Sequence, residues 1–372
     1  MKRFAIFFPQ FHTIKINDSA WGHGFTDWVL VAAANAFNYW PRRSPECGYY
    51  NLLNDKDVKA QFETAHNAGL DGFGIYHYWF SDGPELNAVE KYLLREKIPE
   101  NFKYFYIWAN EDWSTRWIGG NIKILKKIYD IPDKYAIEDH VNYLLPFMQS
   151  DSYKKKLGRP MFVIYRPDSF RDLNTTILLY RKTFERAGIN PLIGFFVKNV
   201  SDVQYSLHFD FCYLFEPRLF FNFKGIRWNQ FANRAFQNII GILSSKMKEQ
   251  VSELVSRILD RTSRSYRFSD FLEYINSDAR SKLIRSLSCP TQEILTCGWN
   301  NAPRYRKRFT ELQVPTADEF IKLVENSIKS KFVSYEIPLL CNAWNEWSEG
   351  AAIEPCIYLG DFLLKSYLEP LR

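Results

Sequence analysis

Eight short runs along the chain are apolar at nearly every position: Phe4–Phe8, Gly72–Tyr76, Tyr104–Trp108, Met161–Tyr165, Leu192–Val197, Phe209–Leu214, Glu293–Cys297 and Ile337–Cys341. Unbroken rather than alternating apolarity marks strands buried on both faces, as in a parallel sheet. Between most of them the apolar residues recur at helical spacing, over Asp57–Ala68, Glu85–Leu94, Lys134–Met148, Leu173–Ala187, Phe231–Leu259, Phe268–Ile275 and Ala317–Ser330. A last helix is predicted after Asp361, and Ser201–Leu207 is short for one. Eight strand–helix units predict an α/β fold, a closed (β/α)8 TIM barrel, more than an open sheet. The long stretch 218–290 reads as a helical, basic insertion between strands six and seven, inside one domain spanning 1–372.

A barrel predicts where chemistry sits, because its active sites gather at the C-terminal ends of the strands. Polar and aromatic residues follow the runs there: Gln10 and His12 after the first, His77-Tyr78-Trp79 after the second, and Asn110-Glu111-Asp112-Trp113 after the third. Arg166 follows the fourth, Lys198-Asn199 the fifth, Glu216-Pro217-Arg218 the sixth, Trp299 the seventh and Asn345-Glu346 the eighth. Core packing alone does not explain this repeated placement.

Composition narrows the class. Of 372 residues, 46% are hydrophobic and 24% charged, as in ordinary globular proteins, but 17% are aromatic. Several of the 11 Trp lie in polar strings such as Trp113-Ser114-Thr115-Arg116-Trp117, which suits sugar-stacking platforms better than core. Trp21, Trp28, Trp113, Trp117 and Trp299 are candidates for an aromatic cleft. Six scattered cysteines without a CxxC pair point to reduced thiols in a cytoplasmic protein, and no metal site is indicated. The apolar run before Pro9 is too short for a signal peptide, and no segment reaches the length of a membrane span. Asp55-Lys56-Asp57 has the form of a metal-binding DxD but precedes a helix, where Asp serves as a cap. No cofactor is implied: neither a GxGxxG nor a P-loop follows any strand.

The net charge of +6 is uneven: Arg218–Arg308 carries 17 Lys and Arg against 7 Asp and Glu. With Trp228, Phe231 and Ile239 nearby, this segment suits peripheral contact with the anionic inner membrane, or equally a solvated helical face. No nucleic-acid motif accompanies it, so nucleic acid is not an expected partner.

The most telling string is Asn342-Ala343-Trp344-Asn345-Glu346-Trp347-Ser348-Glu349-Gly350. Paired carboxylates cleave or form glycosidic bonds, one as acid and one as base or nucleophile. Glu346 and Glu349 are the leading catalytic candidates, with Glu111 an alternative acid whose neighbour Asp112 would disfavour its ionisation. Gln10, His12, His77, Tyr78, Trp79, Asn110, Trp113, Glu216, Trp299, Asn345 and Trp347 are the candidate substrate contacts. Glu354 either completes the site wall or caps a turn.

These strings, together with Phe8-Pro9-Gln10-Phe11-His12, Trp21 to Trp28, Gly74 to Phe80, Trp108 to Trp113 and Gly298 to Arg304, resemble the WbsX-type proteins of bacterial surface-polysaccharide gene clusters. The resemblance implies a glycosyltransferase role in O-antigen, lipopolysaccharide or capsular polysaccharide biosynthesis, with an oligosaccharide or polysaccharide substrate. A lipid-linked donor would suit the basic, apolar segment, and a sugar-nucleotide donor is the alternative. More distantly, Asn345 to Gly350 with Ile353-Glu354-Pro355 resembles glycoside hydrolase family 99, the endo-acting α-mannosidases. That resemblance implies a (β/α)8 barrel and a retaining mechanism through a 1,2-anhydro sugar. Glu346 would take the proton of the sugar 2-hydroxyl, and Glu349 would serve as acid and then base. Ser348 stands where those mannosidases often carry His, so the sugar is left open. A non-catalytic carbohydrate-binding protein would use the same cleft.

Overall fold

The computed structural model describes residues 1–37, 40–115, 123–128, 133–225, 263–305, 308–330 and 333–369. Eight parallel strands close on one another: β1 (Arg3–Phe7), β2 (Gly72–Phe80), β3 (Lys103–Trp108), β4 (Arg159–Ile164), β5 (Leu192–Val197), β6 (Phe211–Phe215), β7 (Thr291–Thr296) and β8 (Leu339–Asn342). Each pairs with the next, and closure comes from β1, which pairs with β2 through Phe4↔Gly72 and with β8 through Phe4↔Leu340. All eight predicted strands are present, shifted by a few residues at their ends.

The helices with both ends among the described residues are α1 (Lys15–Trp21), α2 (Asp27–Phe37), α3 (Asp55–Ala68), α4 (Ala88–Arg95), α5 (Lys134–Gln149), α6 (Leu173–Arg186), α7 (Phe268–Ile275), α8 (Asp278–Ser286), α9 (Ala302–Tyr305), α10 (Ala317–Lys329) and α11 (Phe362–Leu368). Val200–Leu207 is a 3-10 helix, as its length warned. The helix predicted over Phe231–Leu259 lies outside the described residues. Asp55 and Asp57 stand in the first turn of α3, where acids complement the helix dipole, and the cap itself is Asn54. Two helices in the first strand–helix connection, α1 and α2, were not predicted. The sequence of α1, KINDSAW, is rich in residues that compete with helix, and that of α2, DWVLVAAANAF, has no clean apolar stripe.

Strand parity sorts the side chains of β2. Gly72, Gly74, Tyr76 and Tyr78 face the barrel interior, and Phe73, Ile75, His77 and Trp79 face the helices. The interior is tight at its base: a Cβ on Gly72 would lie 2.1 Å from the Lys103 carbonyl oxygen and 2.5 Å from the Phe4 ring.

Much of the predicted insertion, 226–262, lies outside the described residues. Its later part is woven into the helical layer. Arg280 of α8, itself buried, donates to Glu293 of β7 at 3.0 Å and sits 3.5 Å from Glu216.

Candidate active site

The C-terminal mouth of the barrel opens into a cleft of about 840 Å³. Its chemistry begins just past β8. The chain makes a two-residue strand at Asn345–Glu346, then one 3-10 turn at Trp347–Glu349, closed by Gly350 in the left-handed region at φ 63°. Residues three apart eclipse in a 3-10 turn, so Glu346 and Glu349 project to the same side. The intervening side chains anchor the turn. Asn345 accepts from Phe8 N (2.7 Å) and donates to Phe8 O (3.1 Å), and the Trp347 indole donates to Glu354 (2.8 Å). Glu354 also accepts from Gln61 (2.9 Å) and Tyr50 (3.1 Å) behind the wall, and burial pushes its carboxyl up to about 7 against those donors.

One guanidinium holds the pair. Arg304 of α9 donates from Nη1 to Glu349 (2.8 Å) and from Nη2 to Glu346 (3.0 Å) and Asp27 of α2 (2.9 Å). The Ser348 hydroxyl accepts from Arg304 Nε (2.9 Å) and donates to Asp27 (2.6 Å), with Glu346 3.1 Å away. Three carboxyl groups thus share one buried cation. Burial lifts the Glu346 carboxyl well above its ordinary range, Arg304 opposes the lift, and Glu349 and Asp27 add to it. Glu349 is lifted too, by burial first, with Arg304 and Arg218 opposing. One proton held among such coupled carboxyls belongs to the cluster rather than to one residue.

The opposite wall comes from β3, β4 and β5. Arg166 donates to Glu111 (3.1 Å) and to Asp168 (2.6 Å), so Glu111 is committed to an ion pair. Asn110 lines the cleft but spends its amide on the loop, donating to Arg166 O and Ser169 Oγ (both 2.7 Å). Lys198 lies 4.2 Å above the Tyr165 ring, and burial lowers its ammonium to about 8.

Of the candidates, Glu346, Glu349, Glu111, Tyr78, Asn110 and Trp299 line the cleft together. The others do not, and strand parity or anchoring explains most of them. His77 faces the helices: its Nδ1 meets Glu90 at 2.7 Å and its Nε2 meets His140 at 2.9 Å. Trp79 stacks on His140 with ring centroids 4.8 Å apart. Trp113 donates to Asn17 (2.8 Å) beneath Tyr78, and Trp28 donates to Tyr50 O (2.7 Å). Glu216 is buried outside the cleft, accepts from Phe220 N (3.0 Å), and is pushed up to about 7 by burial. Gln10 and His12 are buried away from the cleft, His12 lowered to about 4 by burial. Asn345 and Trp347 are the anchors already described, and Trp117 lies outside the described residues. Among the described residues no group of His, Cys, Asp and Glu has a metal-holding arrangement.

Sequence reasoning missed Asp27, Arg304 and Ser348 as site members, and passed over Arg166, Lys198 and Arg218 at the strand ends. Asp27 and Arg304 do lie in the Trp21–Trp28 and Gly298–Arg304 strings, but nothing local says that they meet.

The family model described as Glycosyltransferase WbsX matches residues 3–367. A protein of Xanthomonas campestris pv. campestris named WxcX, itself uncharacterized, is 25% identical over 365 residues, 96% of this chain and 47% of its own length. The chain therefore spans about half the length of the curated relatives it matches. In structure it is similar to the GH99 endo-alpha-mannosidase of Bacteroides thetaiotaomicron, with TM-score 0.56 at 12% identity over 99% of this chain and 95% of that one. A protein described as glycoside hydrolase-like gives TM-score 0.54 at 13% identity over 90% of each chain. At these identities the likeness is one of fold.

Proposed function

The chain belongs to the glycosyltransferase WbsX family, and we propose that it makes or breaks glycosidic bonds in cell-surface polysaccharide by retaining chemistry on Glu346 and Glu349. Family and fold together indicate a carbohydrate-active enzyme. The observation that carries the finer reading is the clamp of both carboxyls on Arg304 at the barrel mouth. Glu346, the more enclosed, removes the proton of the sugar 2-hydroxyl as that oxygen attacks the anomeric carbon. Glu349, more open to the cleft, gives its proton to the departing glycosidic oxygen. A 1,2-anhydro sugar results. Glu349 then deprotonates an incoming hydroxyl, which attacks the anomeric carbon, and the 2-oxygen takes back the proton from Glu346. Water as the incoming group gives hydrolysis, and a sugar hydroxyl gives transfer, the outcome the family's description favours.

This scheme needs one proton on the pair, on Glu349 once sugar is bound. Burial disfavours two ionised carboxyls side by side, with the stronger lift on Glu346. A sugar 2-hydroxyl donating to Glu346 would favour the ionised form there and leave the shared proton to Glu349. Arg304 supports it by keeping the other ionised. A lipid-linked oligosaccharide at the inner membrane surface is the proposed substrate, with a sugar-nucleotide donor the alternative. Among the described residues no helix is long and apolar enough to cross a membrane.

The test incubates lipid-linked oligosaccharide from the producing cell with wild type, Glu346→Gln and Glu349→Gln, and reads glycan mass. Shortened, lengthened or re-linked glycan with wild type alone is the expected result. Equal conversion by the variants would remove the Glu pair from the mechanism. A wild type that binds the glycan and leaves it unchanged would favour a binding protein.

A further inference from the structure

The wall facing the catalytic pair holds a cation whose ammonium has no hydrogen-bond partner among the described residues. Lys198 is 8% exposed, and its ammonium has three protons to donate. The nearest carboxylate oxygen, of Asp168, is 3.9 Å away, beyond hydrogen-bond distance. Its other neighbour is the face of Tyr165. The two carboxylates closest in character, Glu111 and Asp168, are already engaged by Arg166. The backbone of Lys198 is fixed from a second element: Asn222 donates to Lys198 O (2.8 Å) and to Asn199 Oδ1 (2.6 Å). Residues 218–225 are helical, so Arg218 stands one turn before Asn222 on the same face. Arg218 is exposed, lines the same cleft, and acts electrostatically on both Tyr165 and Glu349.

We propose that Lys198 and Arg218 form a subsite for an oxyanion carried by the substrate beside the reacting bond, either the carboxylate of a hexuronic acid or a phosphoryl group. The proposal rests on the reading of this cleft as a glycan site and names its substrate class: an acidic saccharide. Arg166 completes the wall without being free to bind, because its guanidinium spans Glu111 and Asp168. A ligand oxyanion would take up the donors of Lys198 and bring its negative charge toward Arg218. Two charge-assisted contacts of this kind give a preference of at least roughly tenfold over a neutral ligand.

The test measures binding, so it does not depend on turnover. The wild-type chain is titrated by NMR with methyl hexuronosides, the matching neutral methyl hexosides, and inorganic pyrophosphate. Preference for the uronosides assigns a sugar carboxylate, and preference for pyrophosphate assigns a phosphoryl group. Either preference should fall at least about tenfold in Lys198→Met and in Arg218→Gln. It should largely return in Lys198→Arg, and Glu349→Gln should retain it. Equal binding of charged and neutral probes, no binding of any anion, or a preference untouched by both substitutions would overturn the proposal. Retained preference with turnover unaffected in Glu349→Gln would instead overturn the catalytic reading and leave the subsite standing.

Discussion

Two buried polar networks flank the upper half of this barrel, and they have opposite fates. One is the Arg304 cluster with Asp27, Glu346, Ser348 and Glu349, which opens on the cleft. The other lies behind β2: Tyr180 donates to His140 Nδ1 (2.8 Å), His140 and His77 share a bond between their Nε2 atoms, and His77 Nδ1 donates to Glu90. A single neutral tautomer of each His satisfies that whole chain, with the proton positions assigned from the network. Burial holds His140 well below the ordinary histidine range, and nearby His77 adds to this. In the sealed network every donor described meets an acceptor. In the open one, three carboxyls crowd one cation and a proton is left to move. Residue type does not separate the two, since both use acids with a basic partner. Access does, and access follows from which face of a strand or turn carries the side chain.

The sharpest way to break this comparison is Arg304→Met. Three carboxyls would then face one another without a cation, so turnover should fall by on the order of 10³. Melting should also drop, since removing one partner of a buried ion pair costs about 3–5 kcal/mol. Arg304→Lys should not restore activity, because a point charge cannot hold Glu346, Glu349 and Asp27 at once. Turnover retained in Arg304→Met would remove the clamp from the mechanism.

The sealed network predicts the reverse pattern. His140→Ala strands His77 Nε2 in the interior and leaves a cavity, at a cost of about 3 kcal/mol read by denaturant melting. Turnover per folded molecule should stay at the wild-type value. A selective loss of turnover at unchanged stability would show that the His chain reaches the cleft after all.

A smaller effect concerns pH. Lys198 binds an oxyanion only when protonated, and burial has lowered its ammonium to about 8. Glu111, Asp168 and Asp202 favour its charged form and Arg166 opposes it. A bound anion raises the ammonium further, so affinity is full below pH 8 and weakens as pH rises above it. The decline approaches tenfold per pH unit until the raised value of the complex is reached. Titrating a uronoside from pH 6 to 10 should show this bend, and Lys198→Arg should flatten it. A bend unmoved in Lys198→Arg would place the titrating group elsewhere.

The strands and their order around the barrel were readable because unbroken apolar runs such as Tyr104–Trp108 admit no solvent-facing side. The Glu346–Glu349 pair was readable because it sits directly after such a run. The facing of His77 was readable in principle: Gly72 and Gly74 share its strand and leave no room for side chains on the interior, which places Phe73, Ile75 and His77 on the other face. Arg304 and Asp27 were not readable as partners. They are 277 positions apart and meet only because α2 and α9 both pack over the turn after β8. Likewise Glu216 looked like a site acid by position, but Arg280, 64 residues later by number, claims it behind the wall.

The finest probe of access is a pair of neighbours. Tyr78 and Trp79 are adjacent on β2, equally aromatic and nearly equally buried, at 4% and 6% exposure. Tyr78 lines the cleft, and Glu346 and Asp27 join burial in keeping its hydroxyl protonated. Trp79 lies on the other face against His140, and its indole nitrogen has no hydrogen-bond partner among the described residues. Removing the Tyr78 hydroxyl in Tyr78→Phe should leave melting nearly unchanged. It should weaken glycan binding a few-fold, the scale of one hydrogen bond worth about 1 kcal/mol. Trp79→Phe discards an unsatisfied donor while losing ring area, two effects of opposite sign, so stability should move by no more than about 1 kcal/mol. Glycan binding should not move at all. If Trp79→Phe weakened binding as much as Tyr78→Phe, the division between an open and a sealed face of β2 would fail, and with it the exclusion of His77 from the site.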